Sequence, residues 1–229
     1  MKLLIVGLGS MGKRRARLTK GIDDAIQIVG VDTAEGRRVE AKNLGLADAA
    51  YATIAEAVAA EHPDAALACT APLSHAAVIG ELLDNDLPVF TELNLVSDGY
   101  AENMAKAAAK NLPLFLSSTM LYRRETQYIK RQVTEFGKPV HYIYHIGQYL
   151  PDWHPWENYK NFFVGNARTG GVREIFGIDL PWLLDAFGDV ESVTVQKDTL
   201  SDLRLPYPDS VTLLLRHKGC LLYTSDAAD

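Results

Sequence analysis

Five short apolar runs, Leu3–Val6, Ile26–Val31, Ala65–Cys69, Val89–Thr91 and Leu114–Leu116, punctuate the first half of the chain, each separated from the next by a helix-length stretch. Runs that are apolar throughout belong to strands buried on both faces. Strands joined by helical crossovers pair in parallel, so the spacing predicts an α/β domain with a parallel sheet between helices. Local punctuation agrees with this. Thr53-Ile-Ala-Glu56 is a capping-box sequence. Gly45 and Asn111 stand where helices need a left-handed residue to stop.

After about Met120 the pattern changes. A helix is expected over Glu125–Phe136, ended by Gly137, and the alternation from Val140 to Tyr149 predicts an antiparallel strand. Tyr142, Tyr144 and Ile146 would share one face of that strand, and His141, Ile143 and His145 the other. A loop of about twenty residues follows, then a helix over Pro181–Phe187 closing at Gly188, then strands over Glu191–Val195 and Ser210–Arg216. The expected division is a parallel-sheet domain at 1–119 and an incomplete α+β domain on an antiparallel sheet at 120–219. The last ten residues, Cys220-Leu-Leu-Tyr-Thr-Ser-Asp-Ala-Ala-Asp229, read like a translated sequencing-library adapter. On that reading the protein continues past Gly219 with further strands; on the other, Leu221–Thr224 is a real final strand.

The net charge of −6 over 229 residues argues against nucleic acid or an anionic membrane surface as the main partner. No apolar run approaches the ~18 residues of a membrane span. The apolar N-terminus breaks after a few residues in a glycine turn, which suits a strand better than a signal peptide. Two cysteines, Cys69 and Cys220, offer no disulfide framework and no metal-ligand spacing. The expected compartment is the cytoplasm.

Gly7-Leu-Gly9-Ser10-Met11-Gly12 joins the first strand to the first helix, and Asp32 follows at the end of the second strand, twenty residues past Gly12. That context turns a common glycine pattern into a dinucleotide fingerprint. Gly7 allows the tight turn, Gly9 lets backbone approach a pyrophosphate, and Gly12 lets helix and strand pack closely. Lys13, Arg14 and Arg15 oppose the helix dipole, so they read as a solvated basic face or as partners of a bound diphosphate. Asp32 is placed to accept ribose hydroxyls and to repel a 2′-phosphate, which favours NAD over NADP. Arg37 and Arg38 weigh the other way but read as helix-surface residues.

Further segments resemble the glucose–fructose oxidoreductase, inositol dehydrogenase and rhizopine-catabolism (Gfo/Idh/MocA) family. Asp64-Ala-Ala-Leu-Ala-Cys-Thr70-Ala71-Pro72-Leu-Ser-His75 is similar to its D-x-V-x-I-x-T-P-x-x-x-H segment, whose loop covers the cofactor. Glu92 matches the glutamate of its E-K-P motif, and Arg123 resembles an arginine after the fifth strand. The resemblance implies an oxidoreductase acting on sugars, cyclitols or nucleotide sugars, with a C-terminal sheet domain over the nicotinamide and through which copies could associate. It places Thr70, Ala71, Pro72, His75, Glu92 and Leu93 at the cofactor and Asn94 and Arg123 at the substrate. Two motifs depart from the pattern. Leu93 stands in place of the lysine of E-K-P, and Ile175 and Asp179 replace the aspartate and histidine of D-x-G-x-H. The family's usual acid/base groups are therefore missing.

Replacement chemistry is offered by Gln148-Tyr149-Leu-Pro-Asp152-Trp153-His154-Pro-Trp156-Glu157-Asn158-Tyr159-Lys160. Aromatic rings such as Tyr149, Trp153 and Trp156 can stack on a sugar face while Asp152 binds its hydroxyls. Histidine as a residue type suits both acid and base roles near neutrality, which makes His154 a candidate proton carrier; the alternative is a tryptophan-flanked packing histidine. His145 fits the solvated face of its strand. Asp179 is either a second proton carrier or the cap of a helix begun by Pro181. Three functions fit: an NAD(P)-dependent oxidoreductase on a sugar-like CH–OH substrate, an NAD- and ligand-binding protein without turnover, and an enzyme that recycles bound NAD in a net non-redox step.

Overall fold

The computed structural model describes residues 1–218; the adapter-like decapeptide and the strand alternative at Leu221–Thr224 lie outside the described residues. The chain divides into two compact units at Ser117/Ser118.

Unit one alternates β1 (Lys2–Val6), α1 (Ser10–Ile22), β2 (Gln27–Val31), α2 (Glu35–Asn43), β3 (Ala49–Tyr51), α3 (Ile54–Glu61), β4 (Ala65–Ala68), α4 (His75–Asp84), β5 (Val89–Thr91), α5 (Tyr100–Ala109) and β6 (Leu114–Leu116). All six strands form one parallel sheet in the order β3-β2-β1-β4-β5-β6, a Rossmann topology. The order reverses between β1 and β4. β1 is central, and its alternate residues feed two cores. Leu4 and Val6 pack with Val29, Ala66, Leu82 and Val89. Ile5 packs on the other face with Leu8, Ala16, Ile28 and Ala41. Burial on both faces accounts for the apolar runs of β1 and β2, whereas β6 is an edge strand and its Phe115 is 47% exposed.

The local signals act as the sequence predicts. Thr53 Oγ1 accepts from the Glu56 amide while the Glu56 side chain accepts from the Thr53 amide, a complete capping box. Gly45 and Asn111 take left-handed backbone at φ 65° and 53°. β3 was not anticipated: Ala-Ala-Tyr is too short to carry a pattern, and its place is set by pairing with β2.

Unit two holds α6 (Arg124–Phe136), α7 (Leu150–Trp153), α8 (Gly171–Phe187), β7 (Val190–Asp198) and β8 (Ser210–His217). β7 and β8 pair antiparallel with a bulge between Val190 and Ser192. α6 ends at Gly137, φ 61°, as expected. Its core sets Trp182, Leu183 and Ala186 of α8 against Met120, Leu121, Ile129 and Tyr142.

Two elements differ from the sequence expectation. Val140–Tyr149 is not a strand and carries no regular secondary structure. Its alternation is used by side chains instead. Tyr142 stacks on Phe187 at 4.0 Å, Tyr144 meets Trp182 edge-on, and Ile143 between them is 87% exposed. The helix expected at Pro181 begins ten residues earlier, at Gly171, and runs through Pro181. Proline tolerates this interior position because surrounding packing outweighs the lost amide bond to Gly177. The start of α8 is locked by Tyr207. Its hydroxyl donates to the Val164 carbonyl (2.6 Å) and accepts from the Gly171 amide (3.2 Å), and its ring lies where a Cβ on Gly170 would be 2.5 Å away.

Candidate functional site

The C-terminal ends of β1, β2, β4 and β5 lie along one edge of the parallel sheet, where open α/β sheets bind ligands. At β1 the chain turns through Gly7, φ 92°, whose missing Cβ would meet the Cys69 carbonyl at 2.7 Å. A Cβ on Gly12 would fall 1.9 Å from the Gly7 oxygen, so only glycine lets α1 approach the turn this closely. Gly9 differs: nothing lies within 4 Å of its missing Cβ. It is the N-cap of α1, and no side chain caps the first amides there. Open space over an uncapped, electropositive helix start is what a pyrophosphate needs. The residues present therefore fit a dinucleotide.

Asp32, at the end of β2, is buried. Its Oδ2 accepts from the Leu8 amide and its Oδ1 from the Ala34 amide, both at 2.9 Å. A carboxylate has about four acceptor positions, so capacity for ribose hydroxyls remains. Arg37 lies 3.5 Å from Oδ2 but is largely exposed, and Arg38 donates to the Asp32 carbonyl at 2.7 Å.

After β4, Ala71 is exposed, Pro72 is buried and starts a 3₁₀ turn, and Thr70 Oγ1 is a buried hydroxyl without a hydrogen bond. His75 is buried; its Nε2 meets the Thr70 carbonyl at 2.9 Å and its Nδ1 meets Asn94 Oδ1 at 2.7 Å. The loops after β4 and β5 are thus clasped together. Met11 packs against the β1 core, and Ser10 is exposed. Leu93 is half-buried, while the preceding Glu92 is buried and ion-paired with Arg15 of α1. Of the three cations at the start of α1, Arg15 is not a solvated surface residue. Lys13 pairs with Glu40 at 2.7 Å. Nothing local in the sequence marks the Arg15–Glu92 pair, whose members are 77 residues apart. Cys69 is buried, which pushes its thiol up to about 12, so it is no nucleophile at neutral pH.

In unit two, Arg123 is exposed, with Glu125 Oε2 at 4.0 Å. Tyr149, Asp152 and Trp156 are exposed, Trp156 at 78%, while Trp153 is half-buried against Phe162 and Phe163. His154 is sandwiched between Trp156 and Phe162, with centroids at 5.1 and 4.9 Å and planes within 20°. Its Nδ1 is buried without a hydrogen bond, 4.0 Å from Glu157 Oε2. His145 is exposed.

Asp179 is not a helix cap. It lies inside α8, only 3% exposed, and its Oδ1 accepts from the Tyr144 hydroxyl (2.9 Å) and from Trp182 Nε1 (3.0 Å). Oδ2 is buried and has no partner among the described residues. Burial and the bond to Asp179 push the Tyr144 hydroxyl up to about 12. Ile175, one turn earlier, is half-buried. Glu174 beside it escaped the sequence reading; burial pushes its carboxyl up to about 7. Among the described residues no group of His, Cys, Asp and Glu could hold a metal, and no helix could cross a membrane.

The fold recurs in solved structures. Similar chains include the WlbA dehydrogenase from Chromobacterium violaceum in complex with NADH and UDP-GlcNAcA (16% identity, TM-score 0.76, covering 96% of this chain and 65% of that one). A probable dehydrogenase from Thermotoga maritima gives 20% identity and TM-score 0.74, with 96% and 66% covered. A putative myo-inositol dehydrogenase from Sinorhizobium meliloti gives 18% and 0.72, with 95% and 65% covered. The chain thus spans just under two thirds of the length of these proteins. No curated protein matches it. The family model of oxidoreductases with an NAD-binding Rossmann fold, GFO_IDH_MocA, matches residues 1–115, and with the glycine turn, Asp32 and strand order in place the chain belongs to that family.

Proposed function

We propose that this chain carries the cofactor domain and part of the substrate domain of an NAD-dependent oxidoreductase acting on a CH–OH group of a sugar, cyclitol or sugar derivative. The observation that carries the reading is the open space over Gly9 at the uncapped start of α1, beside a buried Asp32 with acceptor capacity left. Asp32 would favour NAD over NADP by repelling a 2′-phosphate. Two of the similar structures support the substrate class: one is described as a putative myo-inositol dehydrogenase, another binds UDP-GlcNAcA.

When bound, the cofactor would accept or return the hydride. The chain must then supply a group that takes the hydroxyl proton. Leu93 cannot do so. Asp179, with one oxygen saturated and the other bare, and His154, with an unbonded Nδ1, are the proposed candidates. Tyr149, Asp152, Trp153, Trp156, Asn94 and Arg123 are proposed substrate contacts. The test is oxidation of a panel of neutral and acidic polyols by NAD⁺, followed as NADH formation. Turnover of at least one polyol is expected; binding of NAD and a polyol with no NADH formed would overturn the enzyme reading.

A second reading is an NAD- and ligand-binding protein without turnover. What favours it is that Glu92 is engaged by Arg15 and its neighbour Leu93 has no titratable group.

A further inference from the structure

Arg15 makes a set of contacts at the cofactor edge that its place in a run of surface cations does not explain. Its Nε donates to Glu92 Oε1, its Nη2 donates to Ser117 Oγ at 2.9 Å, and its guanidinium lies over the Phe90 ring, 5.0 Å from the centroid. One side chain of α1 therefore ties together β5, the residue that follows β5 and the segment after β6. The pair with Glu92 raises the guanidinium's affinity for its proton, outweighing burial. No donor among the described residues is bonded to Glu92 Oε2. A buried carboxylate with a fixed counter-charge on one oxygen and acceptor capacity on the other is an acceptor aimed by its partner.

The strand order says what such an acceptor would meet. Asp32 ends β2 and Glu92 follows β5, at the same edge of the sheet and three strand positions apart in the order β2-β1-β4-β5. At about 4.8 Å per strand the separation is roughly 14 Å. A dinucleotide with its adenosine ribose at Asp32 and its pyrophosphate at the start of α1 crosses the reversal between β1 and β4. Its second ribose then falls over the ends of β4 and β5, where a cis-diol would offer two hydroxyl donors.

We propose that Arg15 is a positioning residue for the nicotinamide-side ribose: it holds Glu92 through Oε1 and leaves Oε2 to accept from the ribose hydroxyls. The proposal rests on the NAD reading above, and it concerns one half of the cofactor only. That makes it separable from a merely structural role. ADP carries the adenosine ribose and the diphosphate, whereas ADP-ribose adds the second ribose.

The test is calorimetric titration of the full chain with ADP, ADP-ribose and NAD⁺, comparing the unmutated protein with Arg15→Lys and Arg15→Met. The double variant Arg15→Met/Glu92→Gln removes both charges and so avoids stranding a buried carboxylate. Loss of one charge-assisted hydrogen bond corresponds to weakening on the order of tenfold. ADP-ribose and NAD⁺ should weaken by that factor in Arg15→Met and in the double variant, and by less in Arg15→Lys. ADP should stay within about twofold throughout. Equal weakening of ADP and ADP-ribose would mean that Arg15 only supports the fold. Unchanged ADP-ribose binding would equally overturn the proposal. If the unmutated chain binds neither ADP nor NAD⁺, the cofactor reading itself falls, and this inference with it.

Discussion

Gly7 and Gly12 approach so closely that a Cβ on Gly12 would lie 1.9 Å from the Gly7 carbonyl oxygen. Gly9, between them in sequence, has empty space in the corresponding direction. Substitutions at the two positions should therefore fail in different ways. Gly12→Ala forces backbone apart and should destabilise unit one by about 2–3 kcal/mol, read as a lower unfolding midpoint. Gly9→Ala should leave the midpoint nearly unchanged and weaken NAD binding, because its methyl enters the space proposed for the pyrophosphate. An unchanged NAD affinity in Gly9→Ala would remove that assignment.

Asp32 should set cofactor preference. The unmutated chain should bind NAD more tightly than NADP, and Asp32→Ala should narrow the gap by weakening NAD and admitting the 2′-phosphate beside Arg37. Calorimetry with both dinucleotides decides it, and tighter NADP binding by the unmutated chain would contradict the assignment.

Asp179 combines two good donors on one oxygen with none on the other. An asparagine keeps the side-chain shape and an oxygen for Tyr144 and Trp182, so Asp179→Asn should still fold, with a midpoint lowered only by the buried amide N–H it places at the Oδ2 position. Turnover should nevertheless fall by ~10²–10⁴-fold if Asp179 handles the proton. For His154 the informative change is to phenylalanine, which keeps the ring stack while removing the nitrogens. Loss of kcat in His154→Phe assigns the proton to His154; full retention leaves it as packing. A gain of more than tenfold from Leu93→Lys, with no effect of either other variant, would favour the reading without turnover.

Glu174 should make stability depend on pH. Burial raises its carboxyl from the ordinary 4.5 to about 7 in the folded chain. Between those values the unfolded chain gives up the proton and the folded chain keeps it, so stability falls as pH rises through that window. The contribution is full below about pH 4.5 and gone above about pH 7. Its size is at most about 3–4 kcal/mol, from 1.36 kcal/mol per pKa unit over the rise from 4.5 to about 7. Denaturant midpoints measured across the window should show the slope, and Glu174→Gln should flatten it and raise stability at neutral pH. A Glu174→Gln curve parallel to the parent's would place the dependence elsewhere.

What the sequence determined is what depends on neighbours in the chain. Uniformly apolar runs, the Thr53–Glu56 box, the left-handed stops at Gly45, Asn111 and Gly137, and the glycine turn with Asp32 are each local, and each holds in the structure. Tertiary structure decided the features whose partners are distant. Val140–Tyr149 has a strand's alternation, yet its rings pack on α8, because period two says which side chains share a face and not what that face meets. Asp179-Leu-Pro181 reads locally as a helix start, but packing carries α8 through the proline and turns a cap into a buried acceptor. Arg15 looked like one of three surface cations until β5 and β6 brought Glu92 and Ser117 beside it, 77 and 102 residues along the chain. Charge pairs of that kind leave no period or spacing in a sequence, since only the folded sheet sets the distance across which they act.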